Sequence, residues 1–97
     1  MAHSIKWSPR AVSNFEGICG YIAKDSKYYA VLFAKRIISI VKSIPQFPMS
    51  GRVVPEYNDE NLREKLYENY RIVYRIKEEV IEIVALCHGS RLLENIL

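Results

Sequence analysis

The sequence is poor in the residues that punctuate or cross-link a chain. Among 97 residues there are two cysteines, four prolines and four glycines. It also has no uninterrupted apolar run of about 18 residues, the length a membrane-spanning helix needs. Cys19 and Cys87 sit inside apolar stretches, not in a paired spacing, and neither has a His or Cys neighbour to complete a metal set. Both are expected to be reduced core residues, small hydrophobes in effect. No metal and no other cofactor is expected. The N-terminus shows no charged-then-apolar leader, so neither export by signal peptide nor membrane contact is expected, and the expected location is the cytoplasm. There is no internal repeat and no low-complexity tract.

With 49% hydrophobic residues, the chain has enough apolar material for one domain over residues 1–97 and too little for two separate cores. A domain of this size buries only roughly 65% of the surface its unfolded chain exposes, so every element must contribute to the core. The formal net charge of +3 is unevenly spread. Residues 1–50 carry seven basic side chains (Lys6, Arg10, Lys24, Lys27, Lys35, Arg36, Lys42) against two acids (Glu16, Asp25), which is +5; residues 51–97 carry seven against nine, which is −2. A split of this kind fits a protein that meets an acidic partner or nucleic acid with one surface, and equally a solvated basic helix face.

Ile5 and Trp7 alternate with Ser4, Lys6 and Ser8, the period of a short strand with one buried face. Ser8 is suited to cap a helix that has Pro9 at its first position, where the missing N–H costs nothing. Ala11, Val12, Phe15, Ile18, Cys19, Ile22 and Ala23 then fall within about 140° of one helical face. Ser26 is placed to cap a second helix that runs to about Ile44 and is stopped by Pro45 and Pro48. The polar residues of that helix occupy only about 120°, an apolar arc wide enough to be covered on two sides, by a sheet and by the first helix. Leu32 falls within its polar arc. The pair reads as a helical hairpin lying on a sheet.

Residues 46–61 have loop composition, with a short extended piece around Val53 and Val54. Three strands follow, Leu62–Tyr67, Tyr70–Ile76 and Val80–His88, separated by short polar breaks that suit hairpins. In the middle one Tyr70, Ile72, Tyr74 and Ile76 face one way, and Arg71, Val73 and Arg75 the other, a half-polar face on which Val73 is expected to leave apolar surface for a partner. The last strand is apolar on both sides over much of its length, with Ile81, Ile83, Ala85 and Cys87 alternating against Val80, Glu82, Val84, Leu86 and His88, so a central position is expected. The fold class is therefore α+β: an N-terminal strand and a two-helix hairpin packed on a small, mainly antiparallel sheet.

Read in order, Trp7-Ser8-Pro9-Arg10-Ala11, Phe47-Pro48, Gly51-Arg52-Val53-Val54-Pro55-Glu56, Leu62-Arg63-Glu64, Tyr70 through Ile76, and Leu86-Cys87-His88-Gly89-Ser90-Arg91 resemble the RelE/ParE toxin superfamily over nearly the whole chain. The resemblance implies the toxic half of a type II toxin-antitoxin pair, neutralised by a cognate antitoxin that wraps over it and meeting operator DNA only through that antitoxin. The superfamily divides by target. Its RelE branch cuts ribosome-bound messenger RNA without a metal, using cations to hold the scissile phosphate and a group that moves protons. By that likeness the catalytic set would be Arg71, His88 and Arg91. Glu64, which interrupts the basic run of the preceding strand, and a tail without tyrosine depart from the pattern. The ParE branch, which the helical hairpin and the Leu86 to Arg91 segment resemble, inhibits DNA gyrase by binding and needs no catalytic set. Under either branch Arg63, Lys65, Arg71, Arg75 and Arg91 are the cations available to hold nucleic acid or a protein target.

Each of these residues also has a plain structural role open to it. Arg71 and Arg75 could pair with Glu64 or Glu82 across strands. His88 could be a hydrogen-bonded strand-end histidine, although an ordinary pKa near 6.5 leaves proton transfer open. Arg91 could hold loop carbonyls, and Arg52, after Gly51, which could reach a phosphate from the loop, could equally be a lone basic loop residue. Tyr67, Tyr70 and Tyr74 fit core and edge packing, and Trp7 fits the core.

Overall fold

A computed structural model describes residues 3–89. It contains β1 (Ser4–Trp7), α1 (Pro9–Asp25), α2 (Lys27–Ser43), two 3₁₀ turns (Ile44–Gln46 and Pro48–Ser50), β2 (Arg52–Val53), β3 (Leu62–Tyr67), β4 (Tyr70–Ile76) and β5 (Val80–His88). The five strands form one sheet in the order β1-β5-β4-β3-β2. Among the described residues only the β1–β5 pairing is parallel, so the sheet is mainly antiparallel, and β5 is interior, as its largely two-sided apolar pattern requires.

Local chemistry sets the helix boundaries. Ser8 is extended, its hydroxyl accepts from the Ala11 N–H, and Pro9 opens α1. Ser26 ends α1 and starts α2, its hydroxyl accepting from the Tyr29 N–H. With one residue between them the two helices fold back on each other, and both lie on the same face of the sheet. The main core gathers there: Ala11 of α1, Phe33, Ile37 and Val41 of α2, Ile44, and Ile72, Tyr74, Ile81, Ile83 and Leu86 of the sheet. The α2 helix crosses the sheet obliquely. Phe33 meets the rings of Tyr67 and Tyr70 beside the β3–β4 turn, whereas Ile38 and Val41 lie beside Ile5 and Trp7 of β1. It is thus covered by the sheet and by α1, yet Tyr28, Tyr29, Val31, Leu32 and Ile38 remain exposed.

Two expectations are corrected by the strands. Strict alternation puts Ala85 and Cys87 with Ile81 and Ile83, but Val73 pairs with Ala85 while Tyr74 pairs with Ile83, leaving Val84 as the extra residue of a β-bulge. Beyond it the faces exchange: Leu86 joins Ile81 and Ile83 under the helices, and Ala85 turns to the other side. Contacts from α1 hold the bulge. The Ser8 hydroxyl donates to the Val84 carbonyl at 3.0 Å, and the Asn14 side-chain oxygen accepts from the Leu86 N–H at 3.1 Å. The second correction concerns the sheet face away from the helices, where Val73 looked available to a partner. There Val54, Leu62, Val73, Val84 and Ala85 make a small core of their own, with Tyr57 packed against it, so the segment after β2 already covers this face.

Candidate functional site

On that second face the charged residues of the sheet converge. Arg71 on β4 and Glu64 on β3 are both buried, at 4% and 1% exposure. The Arg71 Nε donates to Glu64 Oε1 at 2.6 Å, and its two terminal nitrogens donate to the two oxygens of Glu56 at 2.7 and 2.8 Å. Glu64 uses its other oxygen to accept from the Arg52 Nε, and Arg52 and Glu64 are register partners across β2 and β3. Two guanidinium and two carboxylate groups thus form a chain of alternating sign with no net charge. A planar guanidinium is the side chain suited to such a two-pronged grip on a carboxylate. Hydrogen bonding to Glu56, then to Glu64, holds Arg71 protonated even further above its ordinary range, against the opposing effect of burial.

The remaining predicted site residues do not gather around this cluster. Arg63 is the register partner of Tyr74, and Lys65 of Ile72, so both belong to the helix-bearing face, opposite to Arg71. Arg63 fastens the preceding loops, donating to the carbonyls of Glu60, Met49 and Gly51. Arg75 shares the face of Arg71 and stands 3.9 Å from Asp59, a loose ion pair. His88 pairs in register with Tyr70, whose ring packs on Phe33 of α2, so His88 too lies on the helix side, its ring 5.7 Å from that of Tyr70. It borders a cleft of about 740 Å³ between α1 and the end of β5, with Asn14, Gly17 and Tyr21 on the opposite wall. Arg91 lies outside the described residues. Arg71 and His88 are therefore separated by the sheet itself. Among the described residues no group of three or more His, Cys, Asp or Glu could hold a metal ion, and no helix is long and apolar enough to cross a membrane.

The partner that sequence reasoning missed is Glu56. It comes from a loop fifteen residues before Arg71, and no periodicity ties it to β4. Tyr74 has a comparable hidden tie. Its hydroxyl accepts from the Gly51 N–H at 3.0 Å and donates to the Pro48 carbonyl at 2.6 Å, and burial raises its pKa. A Cβ at Gly51 would stand 2.5 Å from that hydroxyl oxygen, so the loop can approach Tyr74 only because residue 51 has no side chain.

Residues 5–93 match the family described as the ParE toxin of the type II toxin-antitoxin system parDE. The chain belongs to the ParE toxin family. Among solved structures it is similar to the chromosomal ParDE toxin-antitoxin system of P. aeruginosa, with a TM-score of 0.75 and 21% identity over 92% of this chain and 98% of that one. It is also similar to the RelBE2 toxin-antitoxin complex of Mycobacterium tuberculosis, with a TM-score of 0.66 and 12% identity over 91% and 99% of the two chains. The YoeB dimer of Staphylococcus aureus gives a TM-score of 0.62 and 18% identity over 94% and 100%. These likenesses carry the fold, and no curated protein matches the chain. As a ParE-family toxin of the RelE/ParE superfamily, it has the α+β architecture expected of that group.

Proposed function

We propose that this ParE-family chain arrests growth by binding DNA gyrase, without catalysis, and that a cognate antitoxin neutralises it. Family membership supports the toxin role, since the ParE branch is the one that acts on gyrase. What supports binding over cleavage is the state of Arg71. A phosphate-holding arginine must offer its donors and its charge to the substrate, whereas here Glu56 and Glu64 engage each guanidinium nitrogen through three of its five N–H groups and set two carboxylates against its one positive charge. A scissile phosphate brought to this face would also meet two carboxylates, and His88, the candidate proton carrier, stands behind the sheet. The alternative, cleavage of ribosome-bound message, would need that ion-pair chain to open. The toxin-antitoxin complexes among the similar folds support the antitoxin partner.

The deciding experiment uses purified protein in two assays. Gyrase supercoiling is expected to be blocked while ribosome-bound message stays intact. Cleaved message with unaffected supercoiling would overturn the proposal in favour of the RelE-like activity.

A further inference from the structure

The connection between α2 and β2 presents two large apolar side chains to solvent, Phe47 at 69% exposure and Met49 at 59%. Single exposed apolar residues are ordinary on a protein surface. These two differ in standing on a backbone that is fixed from beneath. Ile44, fully buried in the main core, anchors the entry to the segment, and Pro45 and Pro48 each lock one backbone angle. The Phe47 N–H donates to the Ile44 carbonyl at 3.0 Å, and the Ser50 N–H to the Phe47 carbonyl at 2.9 Å. The buried Tyr74 hydroxyl holds the Pro48 carbonyl and the Gly51 N–H, and Arg63 donates to the carbonyls of Met49 and Gly51. The carbonyls of Phe47, Pro48, Met49 and Gly51 are thus all engaged within the chain. What the segment offers outward is its side chains, on a backbone with little freedom left to lose.

We infer that Phe47 and Met49 are the anchors with which the chain grips its target protein, entering an apolar pocket whose rim carries carboxylates. Ordering a loop on binding costs affinity, and a turn that is already ordered avoids that cost. A large apolar side chain on a rigid support, buried in a partner's pocket, is the usual form of a binding hot spot. The charge at the turn selects the rim. Residues 42–52 contain Lys42 and Arg52 and no acid. Arg63, at the base of the turn, donates to three backbone carbonyls and pairs with no carboxylate among the described residues, so its positive charge stands uncompensated there. Nucleic acid fits the turn less well, because its affinity comes mainly from cations on phosphates and Glu64 already engages Arg52. A second copy docked turn to turn would set Arg63 against Arg63, and like charges across an interface oppose docking. The inference deepens the gyrase reading: it rests on that reading for the identity of the partner and on the turn for the place.

The test uses the purified chain and purified gyrase. Phe47→Ser combined with Met49→Ser alters only exposed side chains and leaves the hydrogen bonds of the turn in place; circular dichroism checks that the variant is folded. It is expected to raise the concentration that half-inhibits supercoiling roughly tenfold or more. Leu66→Ser, which changes a comparably exposed residue on the Arg71 face of the sheet, is expected to leave that concentration unchanged. Calorimetry is expected to show an affinity for gyrase that falls as salt rises; an affinity that salt leaves unchanged would overturn the acidic rim. Wild-type inhibition by the double variant overturns the inference. So does an equal loss with Leu66→Ser, or a single-stranded oligonucleotide that the wild type binds and the double variant does not. The double variant is also expected to keep its cognate antitoxin, and a loss confined to that partner would make the turn an antitoxin contact instead. Growth on induction separates this inference from the reading beneath it. If the wild type arrests growth but leaves supercoiling untouched, the gyrase reading fails alone, and growth then decides the turn: arrest lost in the double variant supports it, and arrest kept overturns it.

Discussion

Glu64 holds two arginines at once, and its side chain is fully buried while doing so. Removing one member of a buried ion pair strands the other charge, at a cost of about 3–5 kcal/mol, whereas exchanging the pair for apolar groups of similar volume is often near neutral. Glu64→Ala is therefore expected to lower stability by about 3 kcal/mol or more in urea unfolding. Glu64→Leu combined with Arg71→Met should recover most of that loss. If the single change costs under about 1 kcal/mol, the pair is not buried in solution as it is in the structure. The same chemistry explains why a toxicity screen at Arg71 needs a stability control: Arg71→Ala leaves two carboxylates facing each other, so lost activity alone would not distinguish a binding residue from a structural one. The sequence made the pairing of Arg71 with Glu64 legible as one of two readings, because diagonal neighbours on adjacent strands can be counted. Glu56 was illegible, since a loop side chain reaches a strand through three dimensions and leaves no spacing behind.

The elements themselves were the most legible part. The three C-terminal strands have the boundaries their apolar periods and polar breaks require, and both serine caps accept the hydrogen bonds expected of them. The faces of β5 were legible only up to Val84. From Ile83 to Cys87 the strand is apolar without a break, so no polar residue marks an inserted position and parity counting continues unaware through the bulge. What specifies the bulge lies elsewhere in the chain, in Asn14 of α1 and in Ser8, which caps that helix. Asn14→Ala removes the acceptor of the Leu86 N–H, and an unsatisfied, partly buried donor costs about 1–2 kcal/mol. The expected outcome is a loss of that size with faster hydrogen exchange at the Leu86 amide. Unchanged exchange there would mean that the backbone alone holds the bulge. The helical hairpin was legible as a pair, but the surface it leaves exposed was only partly so. Leu32 was expected in the polar arc, whereas the exposure of Val31 and Ile38 needs the crossing of the two helices to be seen.

At the scale of the molecule, the helices share one core with the sheet. Ala11, Phe33, Ile37 and Val41 all pack into the cluster that holds Ile72, Tyr74, Ile81 and Ile83. The Cα radius of gyration, 13.1 Å, is what one globular unit of this length has. We therefore expect residues 1–97 to unfold as one cooperative unit. Fluorescence of Trp7, which ends β1 and stacks on Phe15 of α1, and far-UV circular dichroism, which reports the helices, should give coincident urea transitions. A separate earlier transition in either signal would show the hairpin leaving the sheet on its own.

The parallel pairing of β1 with β5 joins Ser4 to Val80 and Trp7 to Ile83, partners about as far apart in the sequence as the fold contains. Such distant contacts form late, because the intervening chain must be gathered before they can be made. On the ribosome, β1 and the hairpin emerge well before the strand that completes their core. Until β5 has cleared the exit tunnel, the hairpin's buried face and the edge of β1 have nothing to close against. The nascent polypeptide thus passes through a stage at which both of its layers exist only in part and neither has its counterpart.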